Sequence, residues 1–151
     1  MFTLEQALAL RTLPGALASE SALVQRWLRE HGEPYRGFDF NVGVGDGAPA
    51  GANVGEPWQS FIRERSQRRI DVVAYTAPGI DLYEVKGKGD PASVGQIRVY
   101  TRLWERAHPT MRVGASGLIC ALLDDDMAFC LLMEGIRTFV YPDLVGVIRR
   151  T

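Results

Sequence analysis

The chain of 151 residues is 46% hydrophobic and 23% charged, with a formal net charge of −1, which is ordinary for a globular protein and argues against bulk polyanion binding. It is long enough to bury a core without disulfides, so Cys120 and Cys130 are expected as small buried side chains. Neither His31 nor His108 lies at a metal-ligand spacing from a cysteine, so no zinc site is expected. Because no apolar run approaches the ~20 residues of a membrane span and the N-terminus lacks a basic signal region, we expect one cytoplasmic domain over residues 1–151.

The N-terminal third is predicted to form two helices and a strand. Thr3-Leu4-Glu5-Gln6 has the form of a capping box, and Pro14-Gly15 would end this first helix. A second helix is predicted from Ser19 to His31, and a strand from Tyr35 to Val44. The Gly-, Ala- and Pro-rich residues near 45–56 predict a flexible exposed loop.

The rest of the chain alternates short strands with helices. The predicted elements are a helix opened by Glu56-Pro57-Trp58, a hairpin of Ile70 to Tyr75 and Ile80 to Val85, a helix from Pro91 to Ala107 capped by Asp90, a strand from Gly117 to Leu123, a helix between Asp124 and Gly135, and a strand from Ile136 to Tyr141. This order predicts an α/β fold with a central mixed sheet and helices on both faces.

Positive charge is concentrated in two arginine-rich stretches. One follows Trp58, and the other repeats every fourth residue along the helix after Pro91. These side chains are expected to be solvated, with a rim that contacts phosphates as the alternative. Trp58 is expected to be buried under the adjacent loop, the alternative being an anchor for a substrate or partner. The candidate nucleic-acid-binding residues are Arg63, Arg65, Arg68, Arg69, Lys88, Arg98 and Arg102.

Three charged residues of the predicted hairpin form a candidate catalytic group. Glu84 and Lys86 are two residues apart on a strand and therefore share a face, and Asp71 lies on the neighbouring strand. Two adjacent carboxylates repel unless a cation lies between them, and Mg²⁺ prefers such oxygen ligands, to which the Val85 carbonyl could add. Lys86 would then support water activation and phosphoryl charge. A purely structural pair of Glu84 with Lys86 is the alternative.

The same residues resemble the core motif of the PD-(D/E)XK nuclease superfamily. The resemblance rests on Arg69-Ile70-Asp71-Val72-Val73-Ala74, on Leu82-Tyr83-Glu84-Val85-Lys86, and on Gly95-Gln96 with Tyr100 in the next helix. It implies a restriction-endonuclease-like core in which Asp71 and Glu84 bind Mg²⁺ or Mn²⁺ and Lys86 and Gln96 act in catalysis. Some members add a glutamate from the first core helix, for which Glu20 is the best match and Glu30 a weaker one.

The resemblance also implies a function. It indicates a metal-dependent endo- or exodeoxyribonuclease that hydrolyses phosphodiester bonds of DNA and that forms a homo-oligomer, since nucleases of this family are often dimers. More narrowly, the chain resembles small proteins of tailed phages and prophages. The alternative is therefore a virion-associated assembly protein that keeps the nuclease fold and binds phage structural proteins without significant catalysis.

Overall fold

The computed structural model describes residues 1–148, which form six α-helices, one short 3-10 helix and five strands. The helices are α1 (Leu4–Ala9), α2 (Ala18–His31), α3 (Trp58–Ser66), α4 (Pro91–Ala107), α5 (Asp125–Met133) and α6 (Val145–Ile148), with the 3-10 helix at Pro142–Leu144. The strands are β1 (Gly37–Val44), β2 (Arg68–Tyr75), β3 (Gly79–Lys88), β4 (Arg112–Leu122) and β5 (Arg137–Val140).

The five strands form one mixed sheet in the order β1-β2-β3-β4-β5. The first three are antiparallel neighbours, whereas β3, β4 and β5 run parallel to one another. The parallel pairs need crossover connections, and the chain supplies α4 between β3 and β4 and α5 between β4 and β5. The predicted α/β fold with a central mixed sheet is confirmed.

Helices cover both faces of this sheet. On one face α1 and α2 pack through residues such as Trp27, whose ring lies 4.6 Å from that of Tyr83 on β3. On the other face α4 and α5 pack through residues such as Ile97 and Leu131. The sheet is therefore buried between two apolar layers, and a polar side chain that points into either layer needs a partner.

Several sequence predictions are wrong in detail. Cys130 is exposed rather than buried, because α5 packs on the sheet through Met127 and Leu131 only. Trp58 is 64% exposed and not covered by the loop. Strand β4 begins at Arg112, five residues before the predicted start, because its polar N-terminal half also pairs with β3. Within residues 1–148 no helix combines the length and apolarity that crossing a bilayer requires.

Candidate active site

Asp71 lies where strands β2 and β3 separate. The two strands pair from Tyr75 opposite Ile80 as far as Val72 opposite Tyr83. Beyond that point the Val85 N–H donates a hydrogen bond of 2.7 Å to Asp71 Oδ2, so a side chain takes the place of the strand ladder. This irregularity inserts the Asp71 carboxylate between the two strands and brings it beside the residues that follow Tyr83.

The backbone around Asp71 is irregular as well. Ile70 and Val73 pack into the same core cluster, although strict strand alternation would put them on opposite faces. On strand β1, Asn41 adopts a positive φ of 54°, a conformation that asparagine tolerates better than most residues. Asn41 and Asp71 line the same small pocket. The local distortion of β1 and β2 therefore shapes the surroundings of the Asp71 carboxylate.

Glu84 and Asp71 form a closely spaced pair of carboxyl groups. Glu84 is buried, and its Oε2 atom has no hydrogen-bond partner among the described residues. Burial, followed by the charge of Asp71, raises the pKa of Glu84 to about 8. Burial likewise raises the pKa of Asp71 to about 6, with Glu20 adding to the rise and the Val85 N–H opposing it. Without a cation, burial and the neighbouring Asp71 charge therefore keep Glu84 protonated near neutral pH, and ionising both carboxyl groups together is costly.

Lys86 points toward this pair but bonds elsewhere. Its Nζ atom lies 3.0 Å from Asp90 Oδ1, and Asp90 in turn caps α4 by accepting from the Ser93 N–H. The positive charge of Lys86 lowers the pKa of both Asp71 and Glu84, although burial outweighs it. Within the described chain Lys86 is paired with Asp90, so the alternative of a structural pair with Glu84 is wrong. Sequence reasoning had identified Asp90 only as a helix cap.

Gln96 approaches the site from α4. Its Nε2 atom donates to the Tyr100 hydroxyl at 3.3 Å, and its buried Oε1 atom has no hydrogen-bond partner among residues 1–148. Burial, with smaller contributions from the Glu84 and Asp71 carboxylates, raises the pKa of Tyr100. Tyr100, the hydrogen-bond partner of Gln96, is thus within electrostatic reach of the carboxyl pair.

Of the two candidate glutamates on α2, the fold brings only Glu20 to the site. Its side chain accepts from the Leu17 N–H at 2.9 Å in the first turn of the helix, and its charge raises the pKa of both Asp71 and Glu84. Glu20 lines a pocket of about 10 Å³ together with Asp71 and Val85, and this volume holds roughly one species the size of a water molecule. Glu30, three turns further along the helix, forms an ion pair with Arg26 instead.

The donor set fits a hard divalent cation. Residues 1–148 contain no group of three His, Cys, Asp or Glu side chains arranged to hold one ion. Mg²⁺, however, commonly takes one or two carboxylates and completes its shell with waters and substrate phosphates. The buried Glu84 Oε2 has no hydrogen-bond partner among the described residues, and ionised Glu84 and Asp71 would repel each other. A bound cation would relieve both.

The fold divides the predicted phosphate-contacting residues into two groups. Those on α4 have acidic partners, since Arg98 pairs with Glu134 and Arg102 with Glu105. Those around α3 are exposed, and no acidic side chain of the described chain pairs with them. This second group comprises Arg63, Arg65, Arg68 and Arg69; Lys88 is exposed at the end of β3. Arg68 also lines an open cavity of about 450 Å³ beside α4.

Comparison with known proteins finds distant structural similarity only. No protein-family model matches the chain, and no curated protein matches it. EndoMS, solved in complex with dsDNA, is 16% identical with a TM-score of 0.46, over 83% of this chain and 45% of that one. A repair endonuclease from Pyrococcus abyssi is 16% identical with a TM-score of 0.45, over 79% and 45%. A protein of unknown function is 15% identical with a TM-score of 0.49, over 79% and 55%.

The chain thus spans about half the length of each of these structures. At such scores and identities the similarity carries no conclusion about activity or substrate.

Proposed function

We propose that the protein is a metal-dependent nuclease that hydrolyses phosphodiester bonds of DNA, as the resemblance to the PD-(D/E)XK superfamily implies. The observation that carries this proposal is the buried Glu84 Oε2, which has no donor in the described chain and lies beside Asp71, while Lys86 pairs with Asp90. A carboxylate with a purely structural role would be expected to form an ion pair with Lys86, two residues away. A carboxyl group that binds a cation needs an oxygen free of other hydrogen bonds, and Glu84 Oε2 has no hydrogen-bond partner among residues 1–148.

Each residue of the group has a proposed role. Asp71 and Glu84 would hold Mg²⁺ or Mn²⁺, with the Val85 carbonyl and Glu20 as further oxygen donors. When bound, the ion would supply positive charge that activates water and polarises the scissile phosphate. Lys86 would orient the attacking water and stabilise charge on a phosphoryl oxygen, as a mobile ammonium suits.

Gln96 and the exposed cations complete the proposed mechanism. Gln96 has a free buried carbonyl oxygen with which it would position the water or Lys86. The arginines around α3, with Lys88, would hold the DNA backbone without reading sequence. A cytoplasmic location, a homo-oligomer and the alternative of a phage assembly protein stay predictions from the sequence.

Cleavage assays with purified protein test the proposal directly. We expect nicking of supercoiled plasmid, or cleavage of labelled single-stranded or branched DNA, in Mg²⁺ or Mn²⁺ and none in EDTA. Calorimetric titration of Mn²⁺ into the folded protein is expected to show binding. Failure to cleave any of these substrates, together with failure to bind Mn²⁺, would rule out the enzyme and favour the assembly alternative.

Two glutamates of one helix provide a matched test of the metal ligands. Glu20→Gln is expected to weaken Mn²⁺ binding by roughly 10-fold or more, because Glu20 lines the pocket beside Asp71. Glu30→Gln makes the same chemical change on the same helix, and we expect unchanged affinity because Glu30 pairs with Arg26. Calorimetry on both variants decides the matter, and equal effects would exclude Glu20 from the site.

A further inference from the structure

Helix α3 presents a row of aromatic and guanidinium groups to solvent. Trp58 is 64% exposed and Phe61 is 47% exposed, and their ring centroids lie 5.8 Å apart in an edge-to-face arrangement. The Arg65 guanidinium lies over the Phe61 ring, 5.4 Å from its centroid. These residues recur at i, i+3 and i+7, so they share one face of the helix. We call Trp58, Phe61 and Arg65 the α3 ladder.

The helix turns another face toward the protein. Gln59 and Ile62 are its half-buried residues, and the Ser66 hydroxyl accepts a hydrogen bond from the Ala48 N–H at 2.6 Å. No residue of α3 is fully buried. Two large aromatic side chains thus lie side by side on the solvent face of α3, and adjoining exposed apolar groups can mark a site of interaction.

The positive charge around the α3 ladder indicates which kind of partner would bind there. Residues 58–69 contain four arginines and one glutamate, in a chain whose formal net charge is −1. Both arginines that follow the helix, Arg68 and Arg69, are exposed. Arg69 donates to the backbone carbonyls of Asn41 and Glu64, an arrangement that fixes its guanidinium without neutralising it. The surface thus combines flat aromatic groups with local positive charge, which complements a polyanion that displays flat rings.

The ladder leads toward the carboxyl pair. Arg68 lies two residues after α3 and is the first residue of β2, three residues before Asp71 on the same strand. A nine-residue helix is about 13 Å long. Trp58 therefore lies roughly one helix length from an arginine that borders the candidate active site.

We propose that the α3 ladder is a docking surface for single-stranded DNA, with bases stacked on Trp58 and Phe61 and phosphates bound by the neighbouring arginines. Base stacking on aromatic side chains within a positively charged groove is how single strands are held without sequence preference. In a duplex the base faces are occupied by their neighbours, so the ladder favours the single strand. This inference rests on the proposed nuclease function and deepens it, because it names the form of substrate that leads to Asp71 and Glu84.

Intrinsic fluorescence offers a direct test, because the chain has three tryptophans and Trp58 alone is accessible. Trp27 and Trp104 are 0% and 3% exposed. In EDTA, a 12-nucleotide oligothymidylate is expected to quench the fluorescence saturably, whereas an abasic oligomer of equal length and a duplex are not. The quenching should vanish in Trp58→Ala. Quenching that persists in Trp58→Ala, or equal binding of the abasic oligomer, would overturn the proposal.

Affinity measurements with a matched control complete the test. Trp58→Ala and Phe61→Ala are each expected to raise the Kd for labelled oligothymidylate about 10-fold, measured by anisotropy in EDTA. Phe129→Ala removes another exposed phenylalanine, on α5, which is 62% exposed against 47% for Phe61, and should leave the Kd unchanged. Equal effects of the Phe61 and Phe129 substitutions would contradict a specific surface.

The binding and cleavage results remain separable. A protein that binds oligothymidylate through Trp58 in EDTA but cleaves no DNA with metal would retain the docking surface and refute the nuclease. A protein that cleaves DNA while Trp58→Ala binds and cleaves single strands normally would retain the nuclease and refute the docking surface.

Discussion

Asp71→Asn is expected to reduce metal-dependent cleavage by at least about 10³-fold, which corresponds to several kcal/mol of lost transition-state stabilisation. The Asp71 carboxylate is held between β2 and β3 by the Val85 N–H, and an amide at this place could accept the same hydrogen bond without offering a charge. The fold should therefore survive while the site loses a proposed metal ligand. The initial rate of plasmid nicking and calorimetric Mn²⁺ binding should both fall.

A second substitution separates metal binding from chemistry. Lys86→Ala removes an ammonium that bonds Asp90 rather than either proposed ligand, so we expect Mn²⁺ binding to persist while the nicking rate falls by roughly 10²–10³-fold. Loss of Mn²⁺ binding in Lys86→Ala would show that the lysine supports the ligands and not the reaction.

Matched controls are available for both substitutions. Lys88 is the only other lysine of the chain and is exposed, and Lys88→Ala should change the rate less than about 10-fold. Asp125 is an exposed aspartate in the first turn of α5, and Asp125→Asn should change neither rate nor binding. A large effect of Asp125→Asn would place the metal at the acidic start of α5 instead.

The parts of the fold that sequence predicted well are those fixed by local chemistry. Asp90 and Pro91 give the start of α4, because an aspartate cap and a proline in the first turn leave few other conformations open. The common face of Glu84 and Lys86 follows from strand alternation, and β3 is regular over both residues. The mixed sheet followed from the order of these local elements.

What the sequence did not predict depends on contacts between distant segments. The alternation of side chains between the two faces of the sheet is interrupted at Asp71, where β2 separates from β3. No residue type in the sequence marks the point where two strands separate. The pairing of Lys86 with Asp90 is an exception, because these residues are only four apart and their contact depends on the turn from β3 into α4. The apolar character of Trp58 predicted burial, whereas the side chain is exposed. A sequence pattern does not distinguish an apolar side chain of the core from one on the surface.

The pH dependence of stability tests the electrostatics of the carboxyl pair independently of activity. Burial and the Asp71 charge raise the pKa of Glu84 to about 8 from an ordinary value near 4.5. The folded protein thus binds a proton that the unfolded chain releases at lower pH. This favours the folded state below pH 4.5, and the benefit is lost progressively as pH rises through about 8. Asp71, with a pKa raised to about 6, acts in the same direction.

Glu84→Gln should therefore stabilise the metal-free protein increasingly as pH rises. A neutral amide has no such titration, so the difference in unfolding free energy between variant and wild type should grow from pH 5 to pH 9 and reach roughly 2–4 kcal/mol. This corresponds to a rise in Tm of about 4–16 °C for a domain of this size. Thermal melts in EDTA at several pH values measure it.

A bound cation should reverse this ranking. Added Mg²⁺ compensates the two ionised carboxylates of the wild type, so its Tm at pH 8 should rise, whereas that of Glu84→Gln should change little. Glu30→Gln serves as the control, because the Arg26 partner lowers the pKa of Glu30 and removing that carboxylate cannot produce the same gain at high pH. Destabilisation of the metal-free protein by Glu84→Gln at pH 8 would mean that the buried carboxylate is already compensated within the chain, and the reason for placing a cation beside Asp71 would be lost.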